Sequence, residues 1–151
     1  MQTRRTALKK SAVVAGLLAS TGMFPQLAFA FSTAAFDAKS VADSLKALGA
    51  GAPVESKDVS ITAPDIAENG SVVPVGVATT LAGVKSMLIM VEKNPATLTA
   101  LFNVTDSVES AFQARVKMGQ SSDVYAIAVM KDGKVLYAKK EVKVTLGGCG
   151  G

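Results

Sequence analysis

The sequence VYAIAVMKDGKVLYAKKEVKVTL, residues 124–146, indicates the fold most directly. Its first part, Val124 to Met130, is a short apolar run of the kind that forms a buried strand. Lys131-Asp132-Gly133-Lys134 follows, and an Asp-Gly pair between two apolar runs favours a tight β-hairpin. The return strand, Val135 to about Leu146, ends in an alternation of valines with Lys143 and Thr145. We therefore expect an antiparallel hairpin whose second strand runs almost to the end of the chain.

The residues before this hairpin continue the same pattern of short strands and turns. Asn69-Gly70 and Lys93-Asn94-Pro95 are turn signals, and Pro74 inside an apolar run favours an edge or a bulge. The run around Met87 to Val91 is typical of a buried central strand. Further strands are predicted near residues 59–62, 71–80, 84–92, 98–104 and 111–118. About seven strands spaced by roughly ten residues predict an all-β domain, an immunoglobulin-like antiparallel β-sandwich. The tryptophan and disulfide typical of antibody domains are absent, so the similarity is one of architecture.

Residues 31–48 predict a helix at the start of this domain. Ser32 is a suitable N-cap, and Gly49 follows the last apolar position. Four apolar side chains fall near one face of this helix, at Phe36, Val41, Leu45 and Leu48. We expect that face to pack against the domain.

Residues 1–30 have the features of an export signal. Arg4 and Arg5 form a twin arginine, a short apolar stretch follows, and Ala28-Phe29-Ala30 offers small residues where a signal peptidase cleaves. The apolar stretch is too short and interrupted to suit a membrane span. We predict a twin-arginine signal cleaved after Ala30, which places the mature protein in the periplasm.

Removal of this signal changes the charge of the protein. The whole chain has 16 basic and 12 acidic residues, and residues 1–30 hold four of the basic ones and no acidic one. The mature chain therefore carries 12 of each, which gives no electrostatic reason to expect a nucleic acid or an anionic membrane as a partner.

The chain has one cysteine, Cys149, and no histidine. Exported proteins usually pair their cysteines as disulfides, so a lone thiol there is either an intermolecular partner or a reactive group. The absence of histidine excludes a Cys-His or Ser-His catalytic pair, and with one cysteine a tetrahedral zinc or blue-copper site is not expected. We predict no metal and no cofactor.

Paired glycines flank Cys149 on both sides, at Gly147, Gly148, Gly150 and Gly151. Glycine populates positive and negative φ alike, so residues 147–151 are predicted to form a flexible arm after a folded domain of residues 31–146. Three roles remain open for its thiol: an incidental disulfide dimer, a point of metal or lipid attachment, or a tethered thiol that carries a covalent group into other active sites. The second lacks co-ligands and the usual position of a lipid anchor.

Other charged groups suggest ordinary surface roles. We expect the carboxylates Asp65 with Glu68 and Asp106 with Glu109 to be solvated or capping rather than catalytic. The lysines of the last strand form either a solvated face, a docking patch for an acidic partner or a protected sheet edge: Lys139, Lys140 and Lys143.

The end of the chain, VKVTLGGCGG at residues 142–151, looks like the carrier arm of the SoxY family, the sulfur carriers of periplasmic thiosulfate oxidation. PDIAENG at 64–70, VPV at 73–75, KNP at 93–95 and the twin-arginine start are also similar, so the resemblance covers nearly the whole chain.

The resemblance implies a β-sandwich that bears a substrate and is not itself an enzyme. It implies a heterodimer with a SoxZ-like subunit and sulfur intermediates carried on Cys149. A SoxAX-like c-type cytochrome complex would attach the thiosulfate sulfur, a SoxB-like hydrolase would release sulfate, and a sulfur dehydrogenase would oxidise the remaining sulfur.

Two other functions are compatible with parts of the sequence. An exported structural or adhesive sandwich would use Cys149 to link two copies by a disulfide. A carrier of the ubiquitin-like kind would use a C-terminal thiocarboxylate, but its activation needs ATP inside the cell, against which the export signal argues.

Overall fold

The structure, a computed structural model, describes residues 33–146. The predicted signal peptide at 1–30, the N-cap assigned to Ser32 and the arm at 147–151 with Cys149 lie outside the described residues. These three predictions therefore remain predictions.

The described residues form two helices and nine strands: α1 (Thr33–Asp37), α2 (Val41–Ala47), β1 (Pro53–Glu55), β2 (Val59–Thr62), β3 (Ile66–Asn69), β4 (Val73–Thr79), β5 (Val84–Val91), β6 (Leu98–Asn103), β7 (Ala111–Val116), β8 (Ser122–Met130) and β9 (Val135–Leu146). The larger sheet has the order β1-β9-β8-β5-β6, with β3 also paired to β9. The smaller sheet has the order β2-β4-β7. The β-sandwich predicted from the sequence is confirmed.

The hairpin predicted at residues 124–146 is the β8–β9 pair. Its strands are antiparallel from Ser122 opposite Val142 to Val129 opposite Val135. Gly133 in the turn has φ of +90°, a value that side chains with a Cβ rarely adopt. The Met130 N–H donates to the Lys134 carbonyl at 2.8 Å and closes the turn.

Pro74 lies in β4, which is the middle strand of the smaller sheet. The pairing of β4 with β2 ends where Gly76 lies opposite Thr62, so no residue of β2 lies opposite Pro74. On its other side Pro74 lies opposite Arg115 of β7. A residue without an N–H therefore occupies a position that is an edge on one side, as the proline rule requires.

Two strands, β1 and β3, were not predicted, and both pair with β9 in parallel. β1 joins the beginning of β9, with Pro53 opposite Val135, and β3 joins its end, with Asn69 opposite Leu146. The sandwich is therefore antiparallel except along the outer edge of β9. Strands of three or four residues are too short to show a periodicity, which is why the sequence pattern did not reveal them.

The prediction of one helix over residues 31–48 is wrong, because the chain forms two short helices. Ser40 has an extended backbone with φ of −138° and ψ of 157°, which interrupts the helix. Its hydroxyl oxygen accepts a hydrogen bond from the Asp43 N–H at 3.0 Å and so caps α2. The predicted end is confirmed, since Gly49 follows α2 with φ of +68°.

The core has two layers. The first lies between the sheets and includes Val75, Met87, Ile89 and Val142. The second lies between the helices and the outer face of the larger sheet, where Leu45 of α2 belongs to one cluster with buried side chains of β5, β6, β8 and β9. The prediction that the apolar helix face packs on the domain is confirmed. Within residues 33–146 neither helix has the length and apolar character that crossing a bilayer requires.

Candidate functional site

The predicted site residues Cys149, Gly147, Gly148, Gly150 and Gly151 lie outside the described residues. The structure describes the strand from which they continue. β9 ends at Leu146, and its backbone lies in register with Asn69 of β3. The described residues that bear on the site are therefore those that hold the end of β9.

The end of β9 extends beyond its neighbour β8. The first residue of β8, Ser122, lies opposite Val142, so residues 143–146 have no partner strand on that side. On the other side β3 takes over, and the Lys143 N–H donates to the Asp65 carbonyl at 2.9 Å. The last residues of β9 thus lie at the margin of the sheet.

Side-chain hydroxyls complete the hold on this segment. The Val144 N–H donates to the hydroxyl of Ser121 at 2.9 Å. Ser121 immediately precedes β8, so this bond extends the β8–β9 ladder by one position beyond the first residue of β8. The Thr145 hydroxyl donates to the Glu68 carbonyl at 3.0 Å on the side of β3. We call the contacts of Asp65, Glu68 and Ser121 with residues 143–145 the arm clamp.

Lys140 of β9 binds the segment between β2 and β3, where the chain passes from the smaller sheet to the larger one. By the alternation along β9 it shares the inward face with Val142, yet its ammonium leaves the core and donates to the Ala63 carbonyl at 2.6 Å. The same ammonium lies 2.9 Å from the Asp65 carboxylate. Hydrogen bonding from Lys140, with the attraction between the two charges, lowers the pKa of the Asp65 carboxyl below its ordinary value. Asp65 therefore holds β9 through its backbone and its side chain.

The three lysines considered as a patch do not share one face. Lys140 turns to Asp65 as described, while Lys139 pairs with Asp123 at 2.8 Å. The hydrogen bond with Asp123 raises the pKa of the Lys139 ammonium. Lys143 is exposed and forms no ion pair within residues 33–146. Two of the three charges are thus engaged locally.

The motifs that resemble the SoxY family converge on the end of β9. PDIAENG at 64–70 supplies β3 and the turn after it, and the Gly70 carbonyl accepts from the Met118 N–H at 2.7 Å. In the KNP motif the Asn94 amide donates to the Lys117 carbonyl at 2.7 Å, and its oxygen accepts from the Gly119 N–H at 3.2 Å. The loop at 117–121 therefore links both motifs to Ser121 of the arm clamp.

The carboxylates of the sequence analysis are dispersed. Asp65 pairs with Lys140, and Asp106 pairs with Lys131 near the other end of the sandwich. Among residues 33–146 no three acidic, histidine or cysteine side chains lie together in a way that would hold a metal. An open groove of about 760 Å³ is lined by residues next to the starts of β5 and β7, away from the arm clamp. Asp65 and Glu68 flank the end of β9, where both hold the strand through their backbone carbonyls and the Asp65 carboxylate is paired with Lys140.

Comparison with known proteins agrees with this geometry. A family model described as sulfur oxidation protein SoxY matches residues 45–149, which is more than half of the chain and reaches the cysteine. This chain belongs to the SoxY family. The structure of the sulfur carrier protein SoxY from Chlorobium limicola f thiosulfatophilum is similar, with 32% identity and a TM-score of 0.60. The match covers 68% of this chain and 92% of that SoxY chain.

Members of another group share only the fold with this SoxY-family chain. The superoxide reductase (neelaredoxin) from Ignicoccus hospitalis has 20% identity and a TM-score of 0.51 over 57% of this chain and 79% of that one. At this identity the likeness shows a common sandwich architecture. A search of curated protein sequences gave no match.

Proposed function

We propose that this chain is a covalent sulfur carrier in thiosulfate oxidation, with Cys149 as the attachment point and residues 147–151 as the arm that presents it. The observation that carries the proposal is the SoxY family match, which extends to residue 149. The similar structure is that of a sulfur carrier protein. The described residues add support, because the family-like motifs meet around the strand that leads into the arm.

The proposed chemistry begins with the Cys149 thiolate and thiosulfate. Their sulfur atoms join in a disulfide-type bond, which gives a cysteine S-thiosulfonate, and the pair of electrons released passes to a c-type cytochrome complex of the SoxAX kind. Water then cleaves the bond between the outer sulfur and the sulfonate group. A SoxB-like hydrolase catalyses this step, which yields sulfate and protons and leaves a persulfide on Cys149. A sulfur dehydrogenase then oxidises the outer sulfur of the persulfide to a sulfonate, with three water molecules as the source of oxygen, and six protons and six electrons leave, the electrons to a cytochrome-type acceptor.

The chain acts in this scheme as a substrate carrier with separate enzymes. Because the sequence holds no histidine, the arm has no neighbouring imidazole to activate its own thiol, and the enzymes that it visits supply the catalysis. We propose a SoxZ-like subunit as heterodimer partner and the periplasm as location, reached through the twin-arginine pathway with cleavage after Ala30. That pathway moves folded proteins, so a partner subunit without a signal can travel with this chain.

The decisive experiment replaces Cys149 by Ser in the mature chain. We expect thiosulfate-dependent sulfate formation with the partner enzymes to be abolished, while circular dichroism and binding of the partner subunit stay as in the wild type. Normal sulfate formation by the variant would refute the proposal. Intact-mass spectrometry of wild-type protein from cells grown on thiosulfate gives a second test. Sulfur-bearing adducts on Cys149 support the carrier, and a disulfide dimer as the sole modified species supports an exported structural protein instead.

A further inference from the structure

We infer that the arm clamp is a positioning device that fixes where the arm begins, and thereby how many residues separate the fold from the thiol. This inference rests on the proposed carrier function. Lys143 N–H, Val144 N–H and the Thr145 hydroxyl are each hydrogen-bonded, alternately to β3 and to Ser121. The sequence then has three residues after the register position of Leu146, 147 to 149, and the last of them bears the thiol.

Ser121 is the least replaceable part of the clamp on the side of β8. The strand β8 begins one residue later, so no backbone group of β8 lies opposite Val144. Without the hydroxyl, the Val144 N–H would turn to water, and residues 143–146 would be held from the β3 side alone. Strand ends held from one side open at lower free energy than strands paired on both sides.

Release of the clamp would lengthen the free segment before the thiol. Opening of residues 143–146 extends it from three residues to seven. Where three residues already span the distance to a docked enzyme's active site, further length lowers the local concentration of the thiol roughly as the −3/2 power, so full release lowers it about fourfold. The docking contacts of the folded domain are unchanged. The loss should therefore appear in kcat, with KM for the carrier unaffected.

The test uses the mature chain with its partner enzymes and five variants. Ser121→Ala, Thr145→Val and their combination remove clamp bonds, and Ser107→Ala, at an exposed loop serine without a hydrogen bond to residues 33–146, is the control. We expect faster amide exchange at Val144 in the clamp variants, and a kcat for sulfate formation reduced by up to about fourfold in the double variant. Alkylation of Cys149 by iodoacetamide without partners should keep its rate. Ser121→Thr, which retains the hydroxyl, should restore both exchange and kcat.

A measurement without partner enzymes separates this inference from the proposed function. A nitroxide attached to Cys149 broadens the amide signals that it approaches. In the wild type we expect broadening near residues 66–72 and 117–121, and in the double variant over a wider surface. Unchanged exchange and broadening in the double variant would overturn the inference, as would faster exchange with an unaltered kcat. A wild type that forms no sulfate would instead refute the proposed function, and the exchange and broadening data would still decide on the clamp.

Discussion

Replacement of Leu45 by Ala tests whether the helix pair is an integral part of the folded domain. Leu45 is 1% exposed and lies in the layer between α2 and the larger sheet. Helix α2 has only seven residues, too few for a stable helix in water, so it depends on this packing. The substitution keeps a good helix former at the position and removes only the buried part of the side chain.

The expected loss follows from the groups removed. Leucine exceeds alanine by three carbon atoms, and burial of each contributes about 0.8 kcal/mol, or roughly 2.4 kcal/mol together. The cavity left behind adds to this, because leucine-to-alanine changes at buried sites cost about 2.7–5 kcal/mol. We therefore expect a decrease of about 3 kcal/mol in the free energy of unfolding. With a urea m value of about 1.5 kcal/mol/M, the midpoint should fall by about 2 M.

Urea unfolding of the mature chain, followed by circular dichroism, measures this change. Lys46→Ala is the matched control, because Lys46 is the next residue of α2 and is exposed, and we expect it to alter the stability by less than about 0.5 kcal/mol. A loss below about 1 kcal/mol for Leu45→Ala would refute the reasoning, since it would mean that α2 is not packed on the sheet in solution. A lower m value would show that the helices unfold separately from the sandwich.

The remaining predictions concern the arm and its anchor. Gly148→Val introduces a stiff, wide side chain into the arm and should lower the rate of sulfate formation at least several-fold. The rate at which iodoacetamide alkylates the thiol should not change. Unaltered kinetics with every partner enzyme would contradict the idea that the arm threads into their active sites. The carboxyl of Asp65 should titrate below its ordinary pKa of 3.8, and in Lys140→Met its pKa should return towards that value. The pKa of Asp106, which is lowered by its pairing with Lys131, should be the same in this variant as in the wild type. Because the pKa of Asp65 is lowered in the folded state, its contribution to stability is present above pH 3.8 and is lost as the pH falls through the folded-state pKa. Carboxyl NMR titration measures these pKa values. If the pKa of Asp65 were the same in Lys140→Met as in the wild type, the pairing of Asp65 with Lys140 would be contradicted.

The sequence predicted the candidate site as Cys149 and the glycines on either side of it. It did not predict the arm clamp, which holds the strand that leads into these residues. Cys149 is predicted as the site because a lone cysteine between glycine pairs is not expected to contribute to a core, and this expectation depends only on neighbouring residues. The arm clamp joins Ser121 to Val144 and Glu68 to Thr145, the latter across 77 positions. No local pattern encodes a contact between such distant residues. The resemblance of residues 64–70, 93–95 and 142–151 to a known family was the signal that pointed to this region.

The sequence by itself determined the features that depend on neighbouring residues. The alternation in β7 and β9, the Asp132-Gly133 hairpin and the end of α2 at Gly49 follow from side-chain period and backbone freedom, and each agrees with the structure. These features need only a few consecutive residues, so their energetics are visible in a single stretch of chain.

Only the tertiary structure decided which edges meet. The parallel pairing of β1 and β3 with β9, and the turn of Lys140 from the inward face to Asp65, depend on where the chain crosses between the sheets. Backbone hydrogen bonds of a sheet form with whichever strand lies alongside, and the groups that form them are the same in every residue except proline. The base of the arm is therefore a property of the folded sandwich, whereas the thiol at its end is a property of the sequence.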